Sequence, residues 1–67
     1  MTKEEIGTIL RNKMDELNLT LYKVEKLSNL PGKQIKKVFN GKDNYTFDTL
    51  NSLCKVLNYK IEIQPEL

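Results

Sequence analysis

The chain is 67 residues long, 39% hydrophobic and 30% charged, with no His and a single Cys; this predicts one domain whose small core gives marginal stability or stability shared with a partner. Cys54 alone cannot form an internal disulfide, and without His or a second Cys no zinc constellation can be built, so no metal or cofactor is expected and a reducing cytoplasm fits best. The net charge of +2 is too small to point to nucleic acid by itself, and Lys3, Glu4 and Glu5 ahead of scattered apolar residues argue against a signal peptide or membrane span.

Thr2, followed three residues later by Glu5, is a capping-box pattern that starts a first helix. Ile6, Ile9, Leu10, Met14 and Leu17 recur at helical spacing and predict its core face, with Lys3, Arg11, Lys13 and Glu16 on the other side. Asn18 interrupts the pattern. Thr20 is a good N-cap for a second helix over about residues 20–28, with Leu21, Val24 and Leu27 as its buried stripe. Ser28 and Asn29 supply a sharp turn, because Asn adopts positive φ at modest cost, and Pro31 suits the first position of a third helix reaching Asn40. Asn40-Gly41 ends that helix.

Gly41, Lys42, Asp43 and Asn44 form a polar loop, and Thr46 caps a fourth helix with Asp48 in its first turn. Phe47, Leu50, Leu53, Cys54 and Leu57 predict its core stripe, which makes Cys54 a small core residue. The period then changes: Tyr59, Ile61 and Ile63 alternate with Lys60, Glu62 and Gln64 before Pro65, a half-buried strand pattern. No second strand is available to pair with it, so the expectation is either pairing with the same strand of a second subunit or an extended tail packed on the helices. The predicted fold class is thus mainly α, a four-helix bundle over residues 1–58, with a short C-terminal β-strand and tail over 59–67 that pairs across a dimer.

Charge is unevenly distributed along this chain. Between Lys23 and Lys42, six lysines (Lys23, Lys26, Lys33, Lys36, Lys37 and Lys42) oppose the single acid Glu25, a net +5, while the remainder, with 5 basic and 8 acidic residues, carries −3. In the third helix Leu30, Ile35 and Val38 can point inward while Lys33, Lys36 and Lys37 point out. A short helix with a wet basic face suits a nucleic-acid groove, although lysines that merely solvate a helix give the same pattern. With no His, no Gly-rich phosphate loop and no carboxylate pair in a recognisable frame, an enzyme is not expected.

The stretches LTLYKVEKLSNL, IKKVFNGK and TFDTLNSLCKVLN, in this order and spacing, resemble the small helix-turn-helix regulators of the phage-repressor and Cro class, the XRE type. The resemblance covers roughly Met1 to Asn58 and implies a lambda-repressor-like bundle whose third helix enters the DNA major groove while the second crosses the backbone. It places base reading at Gly32, Lys33, Gln34, Lys36 and Lys37, of which Gly32 has no side chain; Gln34 can pair with adenine, and Lys36 and Lys37 suit bases or phosphates. It places phosphate contacts at Thr20, Leu21, Asn40 and Lys42; where Leu21 stands a Gln is common, and Tyr22 and Lys23 can compensate. A small residue is common at Glu25, and Asn29 replaces the turn glycine, so sequence reading can rest partly on DNA shape.

A fourth helix running into a terminal strand is similar to HipB-type antitoxins, whose C-terminal strands pair across the dimer; here Tyr59, Ile61 and Ile63 would form that interface. The function this resemblance implies is a cytoplasmic, repressor-like transcription regulator binding double-stranded DNA as a homodimer. The competing expectation is a protein-interaction module, such as an antitoxin subunit whose main partner is a toxin.

Overall fold

Four helices form where capping and apolar periodicity place them: α1 (Lys3–Glu16), α2 (Leu21–Ser28), α3 (Gly32–Asn40) and α4 (Phe47–Val56). The computed structural model describes residues 1–65. Thr2, Thr20 and Thr46 each cap a helix by accepting from the backbone N–H three residues on, which satisfies one of the free donors of the first turn. The Thr2 cap is a complete capping box: Glu5 Oε1 accepts from the Thr2 N–H at 2.9 Å. That bond, with the Thr2 hydroxyl second, holds the Glu5 carboxyl below its usual range.

Helix ends are set by left-handed residues. After α1, Asn18 (φ 57°) donates to Asp15 O while the Leu19 N–H reaches back to Met14 O, both at 3.0 Å. The same pair of bonds closes α4, where Asn58 (φ 63°) donates to Lys55 O and Tyr59 to Cys54 O. Both ends are Schellman motifs with Asn in the position usually taken by Gly. The expected positive φ at Asn29 and left-handed Gly41 are both present, at 60° and 70°.

The core is one cluster drawn from every helix: Leu10, Val24, Ile35, Val38, Phe39, Leu53, Cys54 and Leu57. Burial raises the Cys54 thiol above its ordinary range, as the reading of Cys54 as a core residue expects. Helix α1 lies on the C-terminal half of α3 at a separation only glycine allows, because a Cβ on Gly7 would sit 2.4 Å from Phe39 O and 2.9 Å from Val38 O. One turn toward the start of α1, Gly41 meets it in the same way: a Cβ there would lie 2.6 Å from Glu4 Cα.

Several sequence expectations are corrected. Pro31 is the N-cap of α3, with ψ 145°, and Gly32 is the first helical residue; the Pro31 carbonyl accepts from Gln34 and Ile35, and the ring offers no side-chain cap. Leu27 is 55% exposed, because the inner line of α2 runs through Leu21, Val24 and Ser28, whose hydroxyl donates to Val24 O at 2.6 Å. Phe47 is 61% exposed: as the first residue of α4 it carries its ring outside the packed layer. Ile9 lies at the border of the α1 core face.

Residues 59–65 form no strand among the described residues, and the last two residues of the predicted 59–67 tail lie outside the description. A single subunit offers no ladder partner for this segment. Ile61 is half-buried against the core, whereas Ile63 is 95% exposed, so the alternating side chains do not share one packed face within the subunit.

Gly7→Ala should destabilise the domain by about 1–3 kcal/mol despite the better helix propensity of Ala, since the intruding methyl meets backbone that cannot rotate away. Denaturant unfolding beside an exposed α1 control, Asn12→Ala, tests this. Equal or greater stability of the Gly7 variant would rule out the close crossing.

Candidate nucleic-acid interface

Between α2 and α3 lies a turn of only three residues, Asn29, Leu30 and Pro31. The Leu30 N–H donates to Ser28 Oγ at 3.2 Å, and Asn29 donates to Glu25 O at 2.9 Å, so the turn is fixed by its own short hydrogen bonds. α3 then buries Ile35, Val38 and Phe39 completely or nearly so. The opposite face is left to water: Lys33 and Lys36 are exposed, and Gln34 and Lys37 are half-buried at its margins. The inward assignments of Ile35 and Val38 and the outward ones of Lys33 and Lys36 thus hold, whereas Lys37, expected outward, is half-buried and Leu30 lies in the turn before the helix.

None of Lys23, Lys33, Lys36, Lys37 and Lys42 has a carboxylate within ion-pair distance among the described residues; the ion pairs there are Lys13–Glu16 and Lys60–Glu62. The cationic surface is therefore not neutralised from within the molecule. Such a surface raises the local concentration of anions through an unscreened field over about a Debye length, roughly 8–10 Å at physiological salt.

On α2, Leu21 and Val24 face in while Tyr22 and Lys23 are exposed. The Thr20 hydroxyl oxygen accepts from the Lys23 N–H at 3.1 Å, which leaves its O–H free to donate. Lys26 lies over the Tyr22 ring, 5.0 Å from the centroid, so this pair forms a cation–π contact on the outer face. That pairing of Lys26 follows from the four-residue spacing, but the sequence reading did not assign it.

The loop after α3 differs most from expectation. Asn40 commits part of its amide to the loop: its Oδ1 accepts from the Lys42 N–H at 2.7 Å and its Nδ2 gives one of its two hydrogens to Asp43 Oδ2 at 2.8 Å. Asn40 is the loop's organiser, and it holds the backbone from which the exposed Lys42 side chain projects. Lys3 Nζ ties the same loop to the start of α1 by donating to Asn44 Oδ1 at 2.7 Å. Sequence reasoning missed Lys3 and Tyr45 here; the Lys3 ammonium also stands 5.9 Å from the Tyr45 ring centroid.

Glu25 is the other departure. It forms no ion pair with a lysine among the described residues, and its side chain folds over Gly32 at the start of α3. The room for a longer side chain at this helix crossing comes from the missing side chain at Gly32. Away from the lysines, α1, α4 and the tail enclose an open apolar groove of about 310 Å³, lined by Met1, Ile6, Ile9, Leu50, Tyr59 and Ile61 among others. Tyr59 also packs near Lys13, 5.8 Å from ring centroid to Nζ. No helix among the described residues is long and apolar enough to cross a membrane.

Asn40→Ala should release the Lys42 amide, since one hydrogen bond contributes about 1 kcal/mol net. Hydrogen exchange at that amide should quicken roughly fivefold with the α3 core amides unchanged; unaltered exchange would contradict the loop-organising role.

A search of the curated proteins returns no match. A family model does match: residues 9–62 fit that of the Cro/C1-type HTH DNA-binding domain.

Proposed function

The chain belongs to the Cro/C1-type HTH DNA-binding domain family, and from that premise we propose that it is a sequence-specific transcription regulator, repressor-like in action, that docks α3 in the major groove as a homodimer. The observation that carries this reading is the division of α3 into a fully buried apolar side and a side on which Lys33 and Lys36 stand exposed without internal counterions. A helix held from behind presents side chains to base edges without having to be ordered on binding, which limits the entropy lost.

In this reading Lys33 and Gln34 read bases, Lys36 and Lys37 serve bases or phosphates, and Thr20, Tyr22, Lys23 and Lys42 hold phosphates. Thr20 acts through the O–H left free by its cap. Asn40 shapes the loop that carries Lys42 and keeps one Nδ2 hydrogen for the phosphate contact expected of it. Lysines and a hydroxyl suit phosphates because the contact needs charge and a donor and no fixed register; Gln34 offers a donor and an acceptor together, which matches adenine.

The dimer rests on the tail. Ile63 is 95% exposed, two residues on from Ile61, which with Tyr59 helps to line the apolar groove, and a second copy would cover both and give this segment the backbone partners it lacks within one subunit. A second reading, a protein-interaction module such as an antitoxin subunit, is favoured by Tyr22 and Leu27, which are 64% and 55% exposed on α2.

With three or four lysine–phosphate contacts per subunit, from Lys23, Lys42 and one or both of Lys36 and Lys37, log K against log[salt] should fall with a slope of about −5 to −7 for the dimer. Lys42→Ala should weaken binding to all duplexes alike, and Gln34→Ala should relax preference at particular base pairs. Gel shifts over a salt series check both, and absence of duplex binding at low salt would leave the protein-interaction reading in its place. Separately, Ile63→Glu should convert the dimer to monomer by solution mass; an unchanged mass would exclude pairing through the tail.

A further inference from the structure

We propose that Glu25 is a specificity-determining residue of the reading surface, its carboxylate standing in for the side chain that Gly32 lacks. This rests on the DNA-binding reading above. A Cβ placed on Gly32 would lie 1.9 Å from Glu25 Oε1, 3.1 Å from its Cδ and 3.7 Å from its Cγ. The end of Glu25, reached from α2, therefore occupies the space where position 32 would begin its own side chain. Position 32 is the first residue of α3, next to the exposed Lys33 and the half-buried Gln34.

Glu25 itself is half-buried, and its carboxylate lies over the first residue of α3. No lysine among the described residues lies within ion-pair distance to neutralise it. A carboxylate only accepts hydrogen bonds. In the major groove the donors are the amino groups of cytosine and adenine, whereas guanine O6 and N7 and thymine O4 are acceptors that an anion repels. Cytosine N4 is the base-edge group that a carboxylate pairs with best.

Glu25 thus selects cytosine at one position of each half-site. It also opposes the approach of phosphates, which lowers binding to duplex that lacks the site. The two effects act in the same direction, toward a larger ratio of specific to non-specific binding. They also account for how one acid can stand within the +5 segment without defeating its purpose.

The test is selection from a pool of duplexes with randomised positions, together with gel shifts on a non-specific duplex, for the parent chain, Glu25→Gln and Gly32→Ala. The parent should select cytosine at one position per half-site. Glu25→Gln should lose that preference by roughly fivefold or more and bind non-specific duplex several-fold more tightly. Gly32→Ala keeps the charge but places a methyl where the carboxylate lies, so it should lose the same preference without the non-specific gain. Circular dichroism melts establish that each variant is folded; if Glu25→Gln is not, Gly32→Ala decides alone. An unchanged preference in the folded variants, or a parent with no cytosine selection, overturns the assignment of Glu25 and leaves DNA binding intact. A parent that binds no duplex at low salt overturns both.

Discussion

Backbone touches backbone where α1 crosses the C-terminal half of α3, and the position of the basic helix depends on that contact. Gly7 sits under the Val38 and Phe39 carbonyls, and Gly41 sits against Lys3 and Glu4, so each helix supplies one glycine to the other's surface. The close approach brings Ile35, Val38 and Phe39 into the cluster with Leu10, Leu53 and Leu57. Interiors are close-packed, so a shift of one methyl group's width at this crossing would be felt along the whole of α3. The outer face of α3 is held in place by what its inner face touches.

Short helices make the ends matter as much as the faces. α2 has 8 residues, α3 has 9 and α4 has 10, lengths at which an isolated helix is marginal in water. Threonine caps begin three of the four helices, and left-handed Asn or Gly stops all of them. Asn58 and Asn18 close their helices with paired backbone bonds, and Asn29 turns the chain from α2 toward α3 within three residues. α3 is the exception at its start, where Pro31 gives no side-chain cap and the Glu25 carboxylate is the nearby anion. A negative group beside a helix N-terminus is favourable to the helix dipole, so Glu25 supports the start of α3.

Most of the fold was legible in the residues. The capping box at Thr2, the caps at Thr20 and Thr46, the left-handed Asn29 and Gly41, and the buried Val24, Ile35, Val38, Leu53 and Cys54 all stand where local chemistry and helical spacing put them. These are near-neighbour effects, decided by groups within four residues of one another. The failures share a cause of the opposite kind. Leu27 and Phe47 satisfy the apolar pattern but stand beyond the reach of any neighbouring helix, and a stripe read from sequence does not state where its partner ends. For the candidate site, the lysine face of α3 was readable, while the use of Asn40's amide within its own loop was not, because Asp43 and the Lys42 N–H reach it only once the chain has turned.

What the sequence alone determined was the set of four helices, their boundaries to within a residue or so, the charge asymmetry, and the likeness to a DNA-binding family, since each depends on residue type and short-range spacing. The tertiary structure alone decided which apolar residues found partners, that Gly7 is a crossing point, and that Glu25 fills the place of a side chain at Gly32. These last depend on contacts between elements far apart in the chain, or on the angle at which two neighbouring helices meet. A glycine inside a helical pattern signals that something comes close; only the packed helices say that it is the carbonyl edge of α3 at Gly7 and an acid from α2 at Gly32.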